Sequence, residues 1–246
     1  MIVLPHVKGW EVTHHRAHAL LAAQLAYALH PRYCDARFME VIEAIAFHDD
    51  GQLPFDGHQN LNAAGAPLDF RQRPVTLQQA ERVAYESQFK SRRVALLISM
   101  HLSYLYEPLR QAADAPTGLN KLCLEQRQKQ KEWCRALGLT VEQANKQYDL
   151  VRWADQFSLA ICCNLVSQGG FLQEVGTGPG SKKTFISKHA EGHYYVKPWP
   201  FAGKRVEVFY ESRVLTQLAY TRDEELLGAL QGADVIENVV ILEGMM

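Results

Sequence analysis

Ile45-Ala46-Phe47-His48-Asp49-Asp50-Gly51, residues 45–51, is an apolar run that ends in adjacent ionisable side chains. In a helix, Ile45 lies one turn before both His48 and Asp49, so these side chains share a face with Val41. A helical face with this apolar content should be buried. Aspartate is rarely buried unless it is paired, because an unpaired charge in a low-dielectric interior is unfavourable. The stretch therefore predicts a helix that carries a histidine and a carboxylate into the protein core.

Helical periodicity continues on both sides of this stretch. The predicted helices cover residues 13–29 (with Thr13 as a candidate N-cap), 36–50, 77–89, 91–107, 120–137 and 141–166. Between the second and third helices, residues 52–76 are rich in Pro, Gly, Asn and Asp. This segment is too long for a plain connector, which is typical of a functional loop.

The sequence changes character after residue 168. β-Branched and aromatic residues alternate at 194–196 and 205–210, and residues 2–3 are a candidate third strand. The glycine-rich segment 176–180 lacks the spacing of a phosphate-binding loop, so we interpret it as a solvated loop. The expected fold is mainly α, a helical bundle with a small C-terminal antiparallel β appendage. We expect a helical metal-binding domain over residues 1–182 and a β-rich extension over residues 183–246 that packs on it.

Three more ionisable side chains, His18, His101 and Asp155, lie on apolar helical stripes. A single histidine in such a place is more often a hydrogen-bonded core residue than a ligand. Two buried aspartates change this interpretation, because no Lys or Arg lies on the predicted inner stripes to neutralise them. A divalent cation with neutral imidazoles is the simplest counter-charge. The pattern predicts one or two metal ions bound by five residues: His18, His48, Asp49, His101 and Asp155.

Composition narrows the possible classes of function. The net charge of -1 at pH 7 over 246 residues gives no extended basic surface for a nucleic-acid backbone. Residues 1–6 do not resemble a secretory signal, and no stretch is apolar for the ~20 residues that cross a bilayer. The five cysteines contain no Cys-x-x-Cys pair, as expected for thiols in a reducing compartment. We therefore expect a cytoplasmic protein that binds neither nucleic acid nor membranes.

The order His18, His48-Asp49, His101, Asp155 resembles the signature of the HD superfamily of metal-dependent phosphohydrolases. The resemblance covers residues 14–160, and blocks such as 48–51 and 153–159 are similar to an uncharacterised bacterial branch of that superfamily. It implies an HD-type helical bundle. In the two-metal members an aspartate bridges the two ions, and Asp49 corresponds to it here; a histidine such as His101 helps to hold the second ion. The implied cofactor is one or two divalent ions of Mn, Fe, Ni, Co, Zn or Mg.

Two residues near the implied ligands are candidates for catalysis. Asp50 could accept a proton from an attacking water or orient it, although a helix-terminal residue that faces solvent is an equal alternative. His14 is a candidate extra ligand or outer hydrogen-bond donor, whereas His15 is expected to face water.

Substrate contacts are less well defined by the sequence. Many hydrolases of the superfamily place a lysine where this chain has Gln52, so a phosphate must meet other groups. The candidate substrate-binding residues are His58, Arg73 and Tyr104, with Arg71, Lys90, Arg92 and Arg93 as further cations, although such cations are more often solvated surface charges.

The leading hypothesis is a metal-dependent phosphoric ester hydrolase, in which a metal-activated water attacks a small phosphorylated molecule or nucleotide. An HD-type di-iron oxygenase and a non-catalytic metal- or ligand-binding regulatory module are the alternatives. The segment Trp199-Pro200-Phe201 is a candidate homodimer contact, but aromatic residues in a short sheet more often cover their own core.

Overall fold

A computed structural model of the chain describes residues 1–50, 60–73, 77–112, 115–190 and 192–245. The helices are α1 (His15–Tyr27), α2 (Phe38–Phe47), α3 (Leu77–Ser87), α4 (Arg92–Tyr106), α5 (Leu119–Leu137), α6 (Val141–Cys162) and α7 (Asp223–Gly232). The strands are β1 (Ile2–His6), β2 (Gly9–Thr13), β3 (Gln173–Gly178), β4 (Lys182–Ala190), β5 (His193–Lys197), β6 (Arg205–Leu215) and β7 (Val235–Gly244).

The six helices expected from periodicity are confirmed as α1 to α6. Two of these helices begin with side-chain caps: Thr140 and Gln143 form a capping box at α6, and Ser91 accepts a hydrogen bond from the Val94 N–H at α4. The start of α1 differs from the expectation, because the N-cap is His14 rather than Thr13 and its side chain makes no capping hydrogen bond.

The sheet shows that the expected fold class is wrong. Seven strands form one sheet in the order β1-β2-β6-β7-β5-β4-β3, so the β structure is a major layer rather than a small appendage to a mainly α bundle. It is also mixed rather than antiparallel, because β5 and β7 run parallel, with His193 opposite Ile241. The N-terminal hairpin joins the sheet where Trp10 of β2 pairs with Leu215 of β6.

The sequences of strands β3 and β4 do not show the apolar–polar alternation that is typical of strands. Three polar residues of β4, Thr184, Ser187 and Lys188, are 1%, 1% and 4% exposed, and consecutive residues 186–188 are all buried, so β4 lacks the apolar–polar alternation that predicts a strand. β3 takes up much of the segment that was interpreted as a solvated loop, and its pairing with β4 is irregular between Glu174 and Thr177. These irregularities explain why β3 and β4 are absent from the predicted strands, from which β2 and β7 are also missing.

One large core joins the helical layer to the sheet. Trp153 and Phe157 of α6 are fully buried, and they belong to one cluster with side chains from the strands: Ile2, Ile186, Val196, Val208, Val240 and Leu242. The domain boundary expected after residue 182 falls at the first residue of β4, and this core contains side chains from both sides of it. Phe201, from the candidate dimer contact, is 3% exposed and packs near Trp153 of the same chain.

In the described part of the chain, none of the helices combines the length and the apolar content needed to cross a membrane.

Candidate metal centre

Four helices bring the five expected metal ligands to one place. His18 comes from α1, His101 from α4 and Asp155 from α6, while His48 is the C-cap of α2 and Asp49 follows it. Their donor atoms form two groups, within each of which all the atoms lie within 4.8 Å of one another. The first group is His18, His48 and Asp49, and the second is His48, His101 and Asp155.

The centre is shielded from solvent. The three histidines are at most 4% exposed, Asp155 is 6% exposed, and the Asp49 side chain is 13% exposed. Charges held this deeply interact strongly, because little water is present to screen them.

The ring of His48 is fixed by a backbone contact. Its Nδ1 donates a hydrogen bond to the carbonyl oxygen of Ile45 at 2.6 Å. Its Nε2 therefore points the other way, 3.3 Å from Asp155 Oδ1 and 3.5 Å from Asp49 Oδ2. This is the usual arrangement of a metal-binding histidine, in which the second ring nitrogen holds the orientation of the first.

The ring of His18 is held by a hydroxyl group. Ser158 Oγ donates to the carbonyl oxygen of Asp155 at 2.9 Å, so it can accept the Nδ1–H of His18, which is 3.0 Å away. His18 Nε2 then faces Asp49 Oδ2 at 2.7 Å. In this tautomer the ring lone pair and the carboxylate oxygen could both bind one cation. In the other tautomer the Nε2–H donates to Asp49, and Nδ1 accepts a hydrogen bond from the Ser158 hydroxyl.

The spacing of the donor atoms fits a divalent cation. Two ligands that each lie ~2.1 Å from one ion are about 3.0 Å apart at an octahedral angle and about 3.4 Å apart at a tetrahedral angle. The distances of 2.7, 3.3 and 3.5 Å within the centre are close to these values. His48 Nε2 also has no hydrogen-bond partner among the described residues. Imidazole and carboxylate donors together suit Zn, Fe, Mn, Co or Ni.

Electrostatics sets the protonation of the centre. Burial alone would lower the pKa of His48, but the negative charges of Asp49 and Asp155 raise it to about 10. Burial opposes ionisation of Asp49, yet the histidines around it hold its pKa well below the usual value. Burial and the nearby His48 lower the pKa of His101 to about 4. A proton therefore lies on His48 between two ionised carboxylates, while His101 is neutral.

The two predicted catalytic residues lie at the edges of the centre. His14 is half-buried at the start of α1 and is not a member of either ligand group; burial and the charge of Arg213 lower its pKa to about 4. Asp50 is half-buried, and burial raises the pKa of its carboxyl group. Arg16 contacts Asp50 twice, with Nε 3.4 Å from Oδ1 and Nη2 donating to the backbone oxygen at 3.0 Å.

The predicted substrate-binding residues have different positions. The Tyr104 ring lies 6.3 Å from His101 and is 41% exposed, so it borders both the centre and solvent. The Tyr104 hydroxyl accepts a hydrogen bond from Gln156 Nε2 at 3.2 Å. Arg73 is half-buried near the N-terminal amine, whose pKa is lowered to about 6 by burial and then by Arg73. His58 lies outside the described residues.

Two buried side chains beside the centre are absent from the predicted site: His15, whose predicted position is wrong, and Tyr148. His15 was expected to face water but is 7% exposed, with Nδ1 3.4 Å from Asp49 Oδ2. Its three-residue spacing from His18 is a helical neighbour spacing and could have indicated this position. Tyr148 is 8% exposed and places its hydroxyl 3.4 Å from His101 Nδ1. Its seven-residue spacing from Asp155, two helical turns, was the available signal.

The fold and the centre together define an α+β protein with a buried histidine–aspartate cluster suited to a divalent metal ion. Residues 1–217 match the model of the family described as "Protein of unknown function (DUF3891)", and the chain belongs to that family. The match contains the five ligand candidates and strands β1 to β6. Comparison with the curated proteins gave no significant match, and comparison with the solved structures also gave none.

Proposed function

We propose that this protein is a metal-dependent phosphohydrolase of the HD type, which acts on a small phosphorylated molecule or nucleotide. The observation that carries the proposal is the convergence of two carboxylates and three imidazoles at ligand spacing, with His18 and His48 oriented by Ser158 and Ile45. A bound divalent ion would supply an activated water and polarise a phosphoryl oxygen.

Residues of the chain have separate roles in the proposed reaction. The donors of the two groups hold the cation, and the hydrogen bonds to His18 and His48 keep the rings aligned. Asp50 is the proposed proton acceptor, because it follows the ligand pair directly and its pKa is raised by burial. Arg16 would steady the Asp50 carboxylate through the contacts that it makes with this residue.

The surroundings of the centre favour a small anionic substrate. Arg152 lies one turn before Asp155, and its guanidinium group is 5.6 Å from the centre of the Tyr104 ring. A cation and an aromatic face beside the ligands could bind a phosphate group and a nucleobase, and Arg152 would replace the missing lysine at position 52. The near-zero net charge argues against an extended basic surface that would bind a nucleic-acid polymer.

A second candidate is an iron-dependent oxygenase. Each ligand group contains two histidines and one aspartate, which is the composition of many non-haem iron(II) oxygenase sites. Iron in the purified protein and oxygen consumption with a substrate would favour this reaction over hydrolysis.

The test begins with protein purified without chelators. Metal content is measured for the wild type, Asp49→Asn and His101→Gln, with the exposed Asp234→Asn as control. Phosphate release is then measured on mononucleotides and sugar phosphates with Mn²⁺, Co²⁺, Ni²⁺ or Mg²⁺. We expect one to two metal equivalents and turnover in the wild type and control, and loss of both in the ligand variants. A wild-type protein that is empty and cannot be loaded contradicts the proposal.

A further inference from the structure

His15 is a buried imidazole whose two ligand atoms are unused. The residue is 7% exposed, and among the described residues neither of its ring nitrogens has a hydrogen-bond partner. Its ring packs edge-on against Phe70 and His18, with centroids 5.0 and 5.7 Å away. Buried polar atoms are nearly always hydrogen-bonded, so an imidazole without such bonds needs a physical explanation.

The contacts of His15 point to Asp49. The Nδ1 atom of His15 lies 3.4 Å from Asp49 Oδ2, the same oxygen that His18 approaches at 2.7 Å. His15 and His18 stand one turn apart at the start of α1, a spacing that lets two histidines serve one ion. His15 is not a member of either ligand group although its Nδ1 already faces Asp49, so binding requires its donor atom to move closer to that of His18.

A count of donor atoms shows that a second ion would lack a third protein ligand. The two ligand groups share His48, whose Nδ1 is committed to the Ile45 carbonyl, so this residue can serve one ion only. When His48 binds with His101 and Asp155, two protein donors remain for a second ion, His18 and Asp49. His15 is the adjacent residue able to restore a set of three. Each ion would then have two histidines and one aspartate.

We propose that His15 is a sixth ligand of the centre and completes, with His18 and Asp49, the position of a second metal ion. The inference rests on the metal centre of the proposed function but not on the reaction that the centre catalyses. It predicts a stoichiometry of two ions, one of which depends on His15.

The experiment is a cobalt titration of the full-length protein after removal of bound metal. We expect the wild type to bind two equivalents of Co²⁺ and His15→Gln to bind one. His193→Gln is the control, because it removes a half-buried imidazole on β5 that is outside both ligand groups, and it should keep two equivalents. Circular dichroism is the check that each variant is folded before its cobalt binding is compared.

A second variant reports ligation directly. His15→Cys places a thiolate donor at the same position, and a thiolate bound to cobalt adds a near-ultraviolet absorption band. We expect this band in the cobalt-loaded variant and not in the loaded wild type, whose cysteines are outside the ligand groups.

The outcomes separate this inference from the proposed function. A folded His15→Gln variant that still binds two equivalents, or a loaded His15→Cys variant without the band, overturns the role of His15. A wild type that binds one equivalent overturns the second position and leaves a one-ion hydrolase intact. A wild type that binds no cobalt overturns the metal centre as well.

Discussion

His48 holds a proton on the nitrogen that a metal ion needs. Its pKa is raised to about 10 because Asp49 and Asp155 outweigh the effect of burial, so the ring is protonated at neutral pH. Asp49 and Asp155 are ionised and His101 is neutral at that pH, so these residues have no proton to lose. Binding of an ion at His48 should therefore release about one proton, and the affinity should rise about tenfold per pH unit between pH 7 and 9.

Calorimetry measures this release. The binding enthalpy of Zn²⁺ or Mn²⁺ is compared at pH 7 in two buffers with different protonation enthalpies. A difference that corresponds to about one proton for the ion at His48 supports the assignment. Equal enthalpies in the two buffers, with an affinity that does not change with pH, would contradict it.

Ser158 illustrates how a residue that donates no ligand atom can control the centre. Its hydroxyl group connects His18 Nδ1 to the carbonyl oxygen of Asp155. In Ser158→Ala the His18 ring loses this orientation, and we expect metal affinity to fall about 10- to 100-fold, measured by competition with a chelator. Ser87→Ala is the matched control, because Ser87 is also buried and bonds the carbonyl three residues earlier, but on α3. Equal affinities in the two variants would exclude the positioning role.

At the scale of helices and strands, the sequence predicted those elements whose apolar residues recur at regular spacing. The stripes of α1, α2, α4 and α6 are regular, so helical spacing together with the need to neutralise two buried aspartates predicted the five ligand candidates. His15 was misplaced because a pattern locates a helix to within a residue or two, and α1 begins one residue after His14. The buried polar residues of β4 and the irregular pairing of β3 concealed two of the seven strands. Strand pairing between β2 and β6 connects residues about 200 positions apart, which no local pattern reports.

Strand β3 packs closely on the helix that carries Asp155. A Cβ atom at Gly178 would lie 2.7 Å from Trp153 Nε1 and 2.5 Å from Thr184 Oγ1, and both neighbours are buried. Since neither side chain has room to retreat, Gly178→Ala should lower the free energy of unfolding by roughly 1–3 kcal/mol in urea denaturation. Gly232→Ala at the end of α7 meets nothing within 4 Å and should change stability by less than about 0.5 kcal/mol. Equal effects of the two substitutions would show that β3 does not restrain α6.

At the scale of the whole molecule, the sheet and the helices share one core. A chain that ends at residue 182 retains the five ligand candidates but loses β4 to β7, and with them the buried side chains of Ile186, Val208 and Leu242. We expect this fragment to lack a cooperative urea transition and to be cleaved rapidly by protease, whereas the full chain unfolds in one step. A fragment with the unfolding transition of a folded domain would support the boundary expected from the sequence.

The stability of the metal-stripped molecule should have a maximum near pH 6.5. Burial and His48 lower the pKa of His101 from 6.5 to about 4, so between these values the unfolded chain binds more protons and acid destabilises the fold, by roughly 3 kcal/mol from this residue. His48 acts in the opposite direction: its stabilisation is complete below pH 6.5 and is lost as the pH rises towards about 10.

Urea unfolding of chelator-treated protein from pH 4 to 9 measures the stability on both sides of this maximum. His101→Gln should reduce the loss of stability in acid, part of which remains because the pKa of His14 is also lowered to about 4, and the exposed His30→Gln should not reduce it. A stability that stays constant from pH 6.5 to 4.5 would show that His101 is not held neutral by the fold.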